Sequence, residues 1–119
     1  MTAESPKSPR WCPFDERILR IPALLSHGVY LFREDRGRGS RPRYLLAYIG
    51  QTGQPFRGRF RHFLHPGAGP TDVKINSFAR KHRLEVTVVP HSAPKTEERR
   101  RLLEFRARAG RLPRLNSRI

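Results

Sequence analysis

Apolar positions along this chain follow two spacings, and the switches between them mark where strands give way to helices. Gly28–Phe32 (GVYLF) and Tyr44–Ile49 (YLLAYI) are short apolar runs rich in aromatic and β-branched residues, the chemistry of strands. A basic, glycine-containing stretch, Arg36–Pro42 (RGRGSRP), separates them and predicts an antiparallel hairpin with that stretch at its tip. After a turn over Gln51–Pro55, Phe56, Phe60, Phe63 and Leu64 recur at helical spacing, while Arg57, Arg59 and Arg61 point elsewhere. Thr71 or Asp72 can cap a second helix running to His82, with Ile75, Phe78 and Ala79 on its inner face. Leu84–Val89 (LEVTVV) predicts a third strand. Pro94 then opens a long helix that Gly110 closes, with Pro113 beyond and an apolar stripe of Leu102, Phe105, Ala109 and Leu112.

The order β-β-α-α-β-α predicts an α/β domain over residues 26–119, a small three-stranded antiparallel sheet flanked by helices. Residues 1–25 read as a basic, proline-rich arm. Residues 1–13 hold three prolines, two serines and two basic residues, and the helical spacing of Ile18, Ile21 and Leu25 is interrupted by Pro22, so a short turn of helix at most is expected there. With 119 residues the chain fits one domain. The lone cysteine, Cys12, excludes an intrachain disulfide and a cysteine-based zinc cluster. Without a long apolar run or a signal-peptide core, a soluble protein of a reducing cytoplasm is expected, with no membrane partner.

Charge narrows the picture further. Twenty-five basic residues face ten acidic ones, a formal net charge of +15, so the expected partner is a polyanion. Only Lys7, Lys74, Lys81 and Lys95 are lysines; the arginine majority suits a phosphodiester backbone, because a planar guanidinium can bond two phosphate oxygens at once. Arginine preference from a GC-rich genome would explain part of that bias but not the basic excess.

Gly28-Val29-Tyr30 and Tyr48-Ile49-Gly50, one on each strand of the hairpin, resemble the two motifs that name the GIY-YIG nuclease family. Gln51-Thr52-Gly53, Arg57-Gly58-Arg59 at the start of a helix, a glutamate on the last helix, and then Gly110, Pro113 and Asn116 extend the likeness over roughly residues 26–119. The Tyr30–Tyr48 interval is longer than the commonest family spacing because of the basic loop at 35–43, which lengthens the hairpin tip and leaves both tyrosines on their strands. The resemblance implies a Mg2+- or Mn2+-dependent endonuclease acting on a nucleic acid, DNA rather than RNA by family habit. No appended sequence reader is present, so low intrinsic sequence specificity is expected, and a double-strand cut would require a homodimer or two sequential nicks.

For the site, the resemblance implies Tyr30 as general base, which requires its pKa near 10 to be lowered by arginine and metal charge. Taken singly, either tyrosine reads first as a core aromatic with its hydroxyl hydrogen-bonded. Tyr48 would share the sheet face of Tyr30 if the register pairs them. Arg59 stands where the family places its phosphate clamp; Arg57 and Arg61 project about 160° away and would touch flanking phosphates. The carboxylates Glu34, Asp35, Asp72, Glu85, Glu97, Glu98 and Glu104 are scattered, which argues for one metal on one glutamate rather than a two-metal cage. Glu98, four residues before Leu102, is on the inward stripe, while Glu97 and Glu104 fall toward solvent; Glu104 remains the rival by its spacing to Asn116. Acidic residues at a helix start also favour the macrodipole without any metal. His62 is a weaker candidate for leaving-group or phosphate contact; with His65 it could make a metal pair, but no third ligand is nearby. Asn116 is implied to support the site by hydrogen bonding. Gly50 and Gly53 read as tight-turn positions beside the scissile phosphate. Arg36, Arg38, Arg41 and Arg43 on the hairpin loop would bind nucleic acid. The alternatives are a non-catalytic nucleic-acid-binding module on the same fold, and a structural RNA-binding protein of ribosomal type.

Overall fold

The computed structural model describes residues 10–119. Four strands, β1 (Cys12–Pro13), β2 (Gly28–Asp35), β3 (Tyr44–Thr52) and β4 (Leu84–Pro90), form one antiparallel sheet in the order β1-β4-β2-β3. Three α-helices pack on it: α1 (Phe56–Leu64), α2 (Pro70–Lys81) and α3 (Pro94–Ala109). The α/β class and the order of the main elements match the expectation, but the sheet has four strands rather than three. The extra strand pairs Cys12 with Val86 and Pro13 with Glu85. Two residues are too few to show a period, and a proline is tolerated here because the strand is an edge.

Residues 14–25 form two 3₁₀ turns, Glu16–Arg20 and Pro22–Leu25. Asp15 caps the first, accepting from the Arg17 N–H, and Pro22 opens the second, where its missing N–H costs nothing. Phe14, Ile18 and Leu24 are buried in the main core, so this stretch seals one end of the sheet instead of standing off as an arm. The expectation for residues 1–9 lies outside the described residues.

Both faces of the sheet are covered. On one, Tyr30 and Phe32 meet Phe56, Phe60 and Phe63 of α1, with Phe14 beside them; ring centroids lie 4.8–6.3 Å apart, many edge to face. Ile75 and Phe78 of α2 extend that core. On the other, Val29, Leu31 and Ile49 bury Leu102 of α3, flanked by half-buried Phe105 and Leu112. Ala109, expected on the buried stripe, is exposed: α3 lies on the sheet through its middle turns and its last turn faces solvent. Gly110 ends it in the left-handed conformation (φ 77°), donating to the Arg106 carbonyl.

Two local differences bear on function. The hairpin register sets Tyr30 opposite Gly50 and Tyr48 opposite Phe32, so the tyrosines share a face as diagonal neighbours rather than as a pair. Helix α2 begins at Pro70 behind Gly69, with no side chain capping it; Asp72 is engaged elsewhere. Among the described residues no helix is long and apolar enough to cross a membrane.

Candidate active site

Tyr30 is the centre of the candidate site. Its side chain is only 1% exposed, walled in by Phe56, Phe60 and Phe63, and its ring lies across Gly50. A Cβ built on Gly50 would come 2.5 Å from the Tyr30 hydroxyl oxygen, so the glycine of Tyr48-Ile49-Gly50 is required by the ring beside it. Tyr48 flanks the same ring at 6.1 Å.

Arg59 reaches this hydroxyl from α1. Its Nε–H donates to the Tyr30 oxygen at 3.3 Å, its Nη1 pairs with an Asp72 oxygen at 2.9 Å, and its guanidinium lies 4.6 Å over the Phe63 ring one turn on. Burial alone would weaken the Arg59 charge, yet Tyr30, Asp72 and Tyr48 together hold its pKa above the ordinary arginine value. In the sequence Asp72 reads only as a possible helix cap. In the structure it fixes the head of Arg59 from across the α1–α2 interface, and no spacing along the chain signals that pairing.

Burial pushes the Tyr30 phenol well above its ordinary pKa, Tyr48 pushes the same way, and Arg59 opposes without reversing them. A general base at neutral pH requires the opposite direction. Arginine charge on its own does not overcome the removal of water around a ring this deep. Burial raises Tyr48 as well, with Glu98 adding to it.

Glu98, on the second turn of α3, raises the pKa of both phenols by its charge. Helix α3 packs on the opposite face of the sheet, and β3 is the edge strand of that sheet. Burial alone raises the pKa of Glu98, and among the described residues no side chain hydrogen-bonds or pairs with it. A half-buried carboxylate with no cation beside it, near enough for its charge to act on two phenols, is an unpaired acid of the kind a divalent cation would satisfy. No three His, Cys, Asp or Glu side chains converge among the described residues. A hydrated Mg2+ or Mn2+, which keeps most of its waters, fits one such carboxylate better than a protein cage.

The neighbouring glutamates differ from Glu98 and from expectation. Glu97, expected toward solvent, is only 8% exposed, because Arg100 and Arg101 fold over it with hydrogen bonds of 2.7–3.0 Å and His91 lies 3.7 Å away. Those arginines hold its pKa down at about 2. It is covered by arginines at i+3 and i+4 of its own helix rather than by the core, which a helical projection of apolar residues does not register. Glu104 is exposed and faces Arg100 at 3.7 Å. Neither is free to face the tyrosines.

Asn116 acts one layer out. Its side-chain oxygen accepts from the Ile49 N–H (3.0 Å) and its amide donates to the Ile49 carbonyl (2.9 Å), while the Leu115 N–H donates to the Ala47 carbonyl (2.8 Å). The C-terminal tail therefore pairs with the open edge of β3 on either side of Tyr48. His62 is exposed on α1 and engages none of these side chains; His65 instead faces Glu16. Arg61 is exposed, and Arg57 is half-buried with its Nε unpaired. At the hairpin tip Arg36, Arg38, Arg41 and Arg43 are exposed on a loop that Asp35 ties together by accepting from the Gly37 and Arg43 N–H groups. Gly53 is exposed at the turn after β3, and a side chain there would meet nothing within 4 Å.

The chain matches no protein-family model, no curated protein and no solved structure.

Proposed function

We propose that this protein is a Mg2+- or Mn2+-dependent endonuclease of GIY-YIG type, hydrolysing phosphodiester bonds of nucleic acid, DNA in preference to RNA. The observation that carries this reading is convergence: Tyr30 from β2, Tyr48 from β3, Arg59 from α1 and Glu98 from α3 share one electrostatic neighbourhood on a protein with fifteen excess positive charges. The ordered motifs Gly28-Val29-Tyr30 and Tyr48-Ile49-Gly50 add the family likeness.

In this reading Arg59 receives the phosphate. A guanidinium has five N–H groups; Tyr30 accepts from one and Asp72 lies against Nη1 as an ion pair, which leaves others for substrate oxygens. Asp72 holds the fork so that little freedom is lost when charge develops in the transition state. With its phenol ionised, Tyr30 would take the proton of the attacking water, and Tyr48 packs beside it to fix its direction. Glu98 holds the cation, which when bound offsets the phosphate charge and draws the Tyr30 phenol toward its ionised form. Asn116 keeps β3, and so Tyr48 and Gly50, in register. The arginines of the hairpin loop carry the flanking backbone, with a homodimer or two successive nicks needed for a double-strand break.

The raised pKa of Tyr30 is the observation that favours the alternative, a binding module that does no chemistry. Supercoiled plasmid separates the two. Purified protein is expected to nick it with Mg2+ or Mn2+ and to leave it intact in a chelator. Tight binding without nicking at any divalent cation concentration selects the binding module.

A further inference from the structure

On the sheet face opposite Tyr30, a second aromatic group lies beyond the reach of α3. The Arg33 guanidinium is 3.5 Å from the centre of the Tyr44 ring and 4.2 Å from that of Trp11. Glu85 on β4 holds Arg33 from the side, accepting from its Nε–H at 2.7 Å and pairing with Nη2 at 2.6 Å. A β-bulge between Phe32 and Arg33 marks where the strands change register, and Asp35 pairs with Tyr44 at the mouth of the hairpin loop. Tyr44 is nonetheless 41% exposed, one of the few large hydrophobic side chains left so open. The next residue back is Arg43, and Arg41, Arg38 and Arg36 follow round the same loop, all exposed.

A partly exposed ring backed by Arg33, beside the loop that carries the exposed Arg38, Arg41 and Arg43, matches what single-stranded nucleic acid needs: a π surface for a base and positive charge for the phosphates around it. A duplex offers the charge but keeps its bases stacked inside. We propose that Tyr44, backed by Arg33, is a stacking platform for an unpaired base of the nucleic acid, so that the protein prefers substrates with a single-stranded segment. The proposal rests on the nucleic-acid reading above and adds a substrate class to it. Charge complementarity decides the occupant: an apolar peptide would gain nothing from the loop arginines, whereas an unpaired nucleotide uses both the ring and the charges.

The test is binding measured in a chelator, so that no cleavage intervenes, with three probes: single-stranded oligothymidylate of about 12 nucleotides, an abasic oligonucleotide with the same number of phosphates, and a duplex of that length. Tyr44→Ala is expected to lose about tenfold in affinity for oligothymidylate, the size of one missing base–aromatic stack, and to bind the abasic and duplex probes as the wild type does. Tyr44→Phe should bind all three normally. Tyr44→Leu keeps an apolar neighbour for Arg33 and guards against a folding defect; it should behave as Tyr44→Ala does. If Tyr44→Ala and Tyr44→Leu bind oligothymidylate as tightly as the wild type, or weaken equally on the abasic probe, the platform is wrong while the nucleic-acid reading stands. If the wild type binds none of the probes, both are wrong.

Discussion

Arg59 is held by three neighbours at once: the Tyr30 hydroxyl, the Asp72 carboxylate and the face of Phe63. Lysine keeps the charge but cannot bond Tyr30, Asp72 and a phosphate together from one planar head. Arg59→Lys should therefore lose at least about 3 kcal/mol of transition-state stabilisation, the cost of deleting one such donor. Arg57→Lys and Arg61→Lys, which supply charge without a fixed partner, should cut at near wild-type rates. Single-turnover rates at saturating enzyme measure the contrast; a dead Arg57→Lys or Arg61→Lys beside an active Arg59→Lys would move the clamp to that neighbour. Glu98 gives a second expectation, in stability. Its pKa is raised on folding, so the native chain holds that proton above the pH where the unfolded chain releases it, and stability falls as pH rises between the two values. Glu98→Gln, which cannot ionise, should therefore melt above the wild type at neutral pH, with the difference closing as pH is lowered into the ordinary carboxylate range. A wild type more stable than Glu98→Gln at neutral pH would mean that Glu98 already has a cation partner within the protein. The identities of these side chains are legible in the chain, since Tyr30, Tyr48, Arg59 and Glu98 lie on ordered motifs, but their settings are not. Asp72 reaches Arg59 between two helices, and the depth of Tyr30 comes from three phenylalanines of α1 that periodicity counts only as core.

Among the elements, those with a long period are the ones the sequence makes legible. Helices α1 and α3 begin and end where apolar spacing, Pro94 and Gly110 place them, because many residues contribute to each pattern. The two-residue strand Cys12–Pro13 and the 3₁₀ turns before β2 have no period of their own; tertiary burial of Phe14, Ile18 and Leu24 makes them. The C-terminal tail is a similar case. Asn116 is suggested only by family likeness, and its partner, the backbone of Ile49, is 67 residues away. The hairpin loop is the element with the clearest separate duty. Its tip is tied by Asp35, and its four arginines are exposed, with Arg36 paired to Glu34 at 3.1 Å. Replacing Arg36, Arg38, Arg41 and Arg43 by alanine should flatten the dependence of log affinity on log salt for duplex DNA by about 0.9 for each phosphate no longer neutralised, with little change in turnover at saturation. An unchanged slope would make the loop a bystander and route the nucleic acid over another face.

At the scale of the whole molecule, two layers of packing share one sheet, and the candidate site forms where they meet at an edge. The aromatic face carries Tyr30 and Tyr48, with Arg59 on the helix that covers it; the opposite face carries α3; β3, stitched to the C-terminal tail, is the edge strand between them. The net charge of +15 draws any polyanion to the surface, so binding alone cannot show that the site works. Cleavage can. The most direct measurement is the single-turnover cleavage rate of Glu98→Gln and Glu104→Gln against wild type, with Mg2+ present, enzyme in excess and binding shown to be equal. Glu98→Gln is expected to be inactive and Glu104→Gln close to wild type; full activity in Glu98→Gln would contradict a cation held by Glu98 beside the two tyrosines.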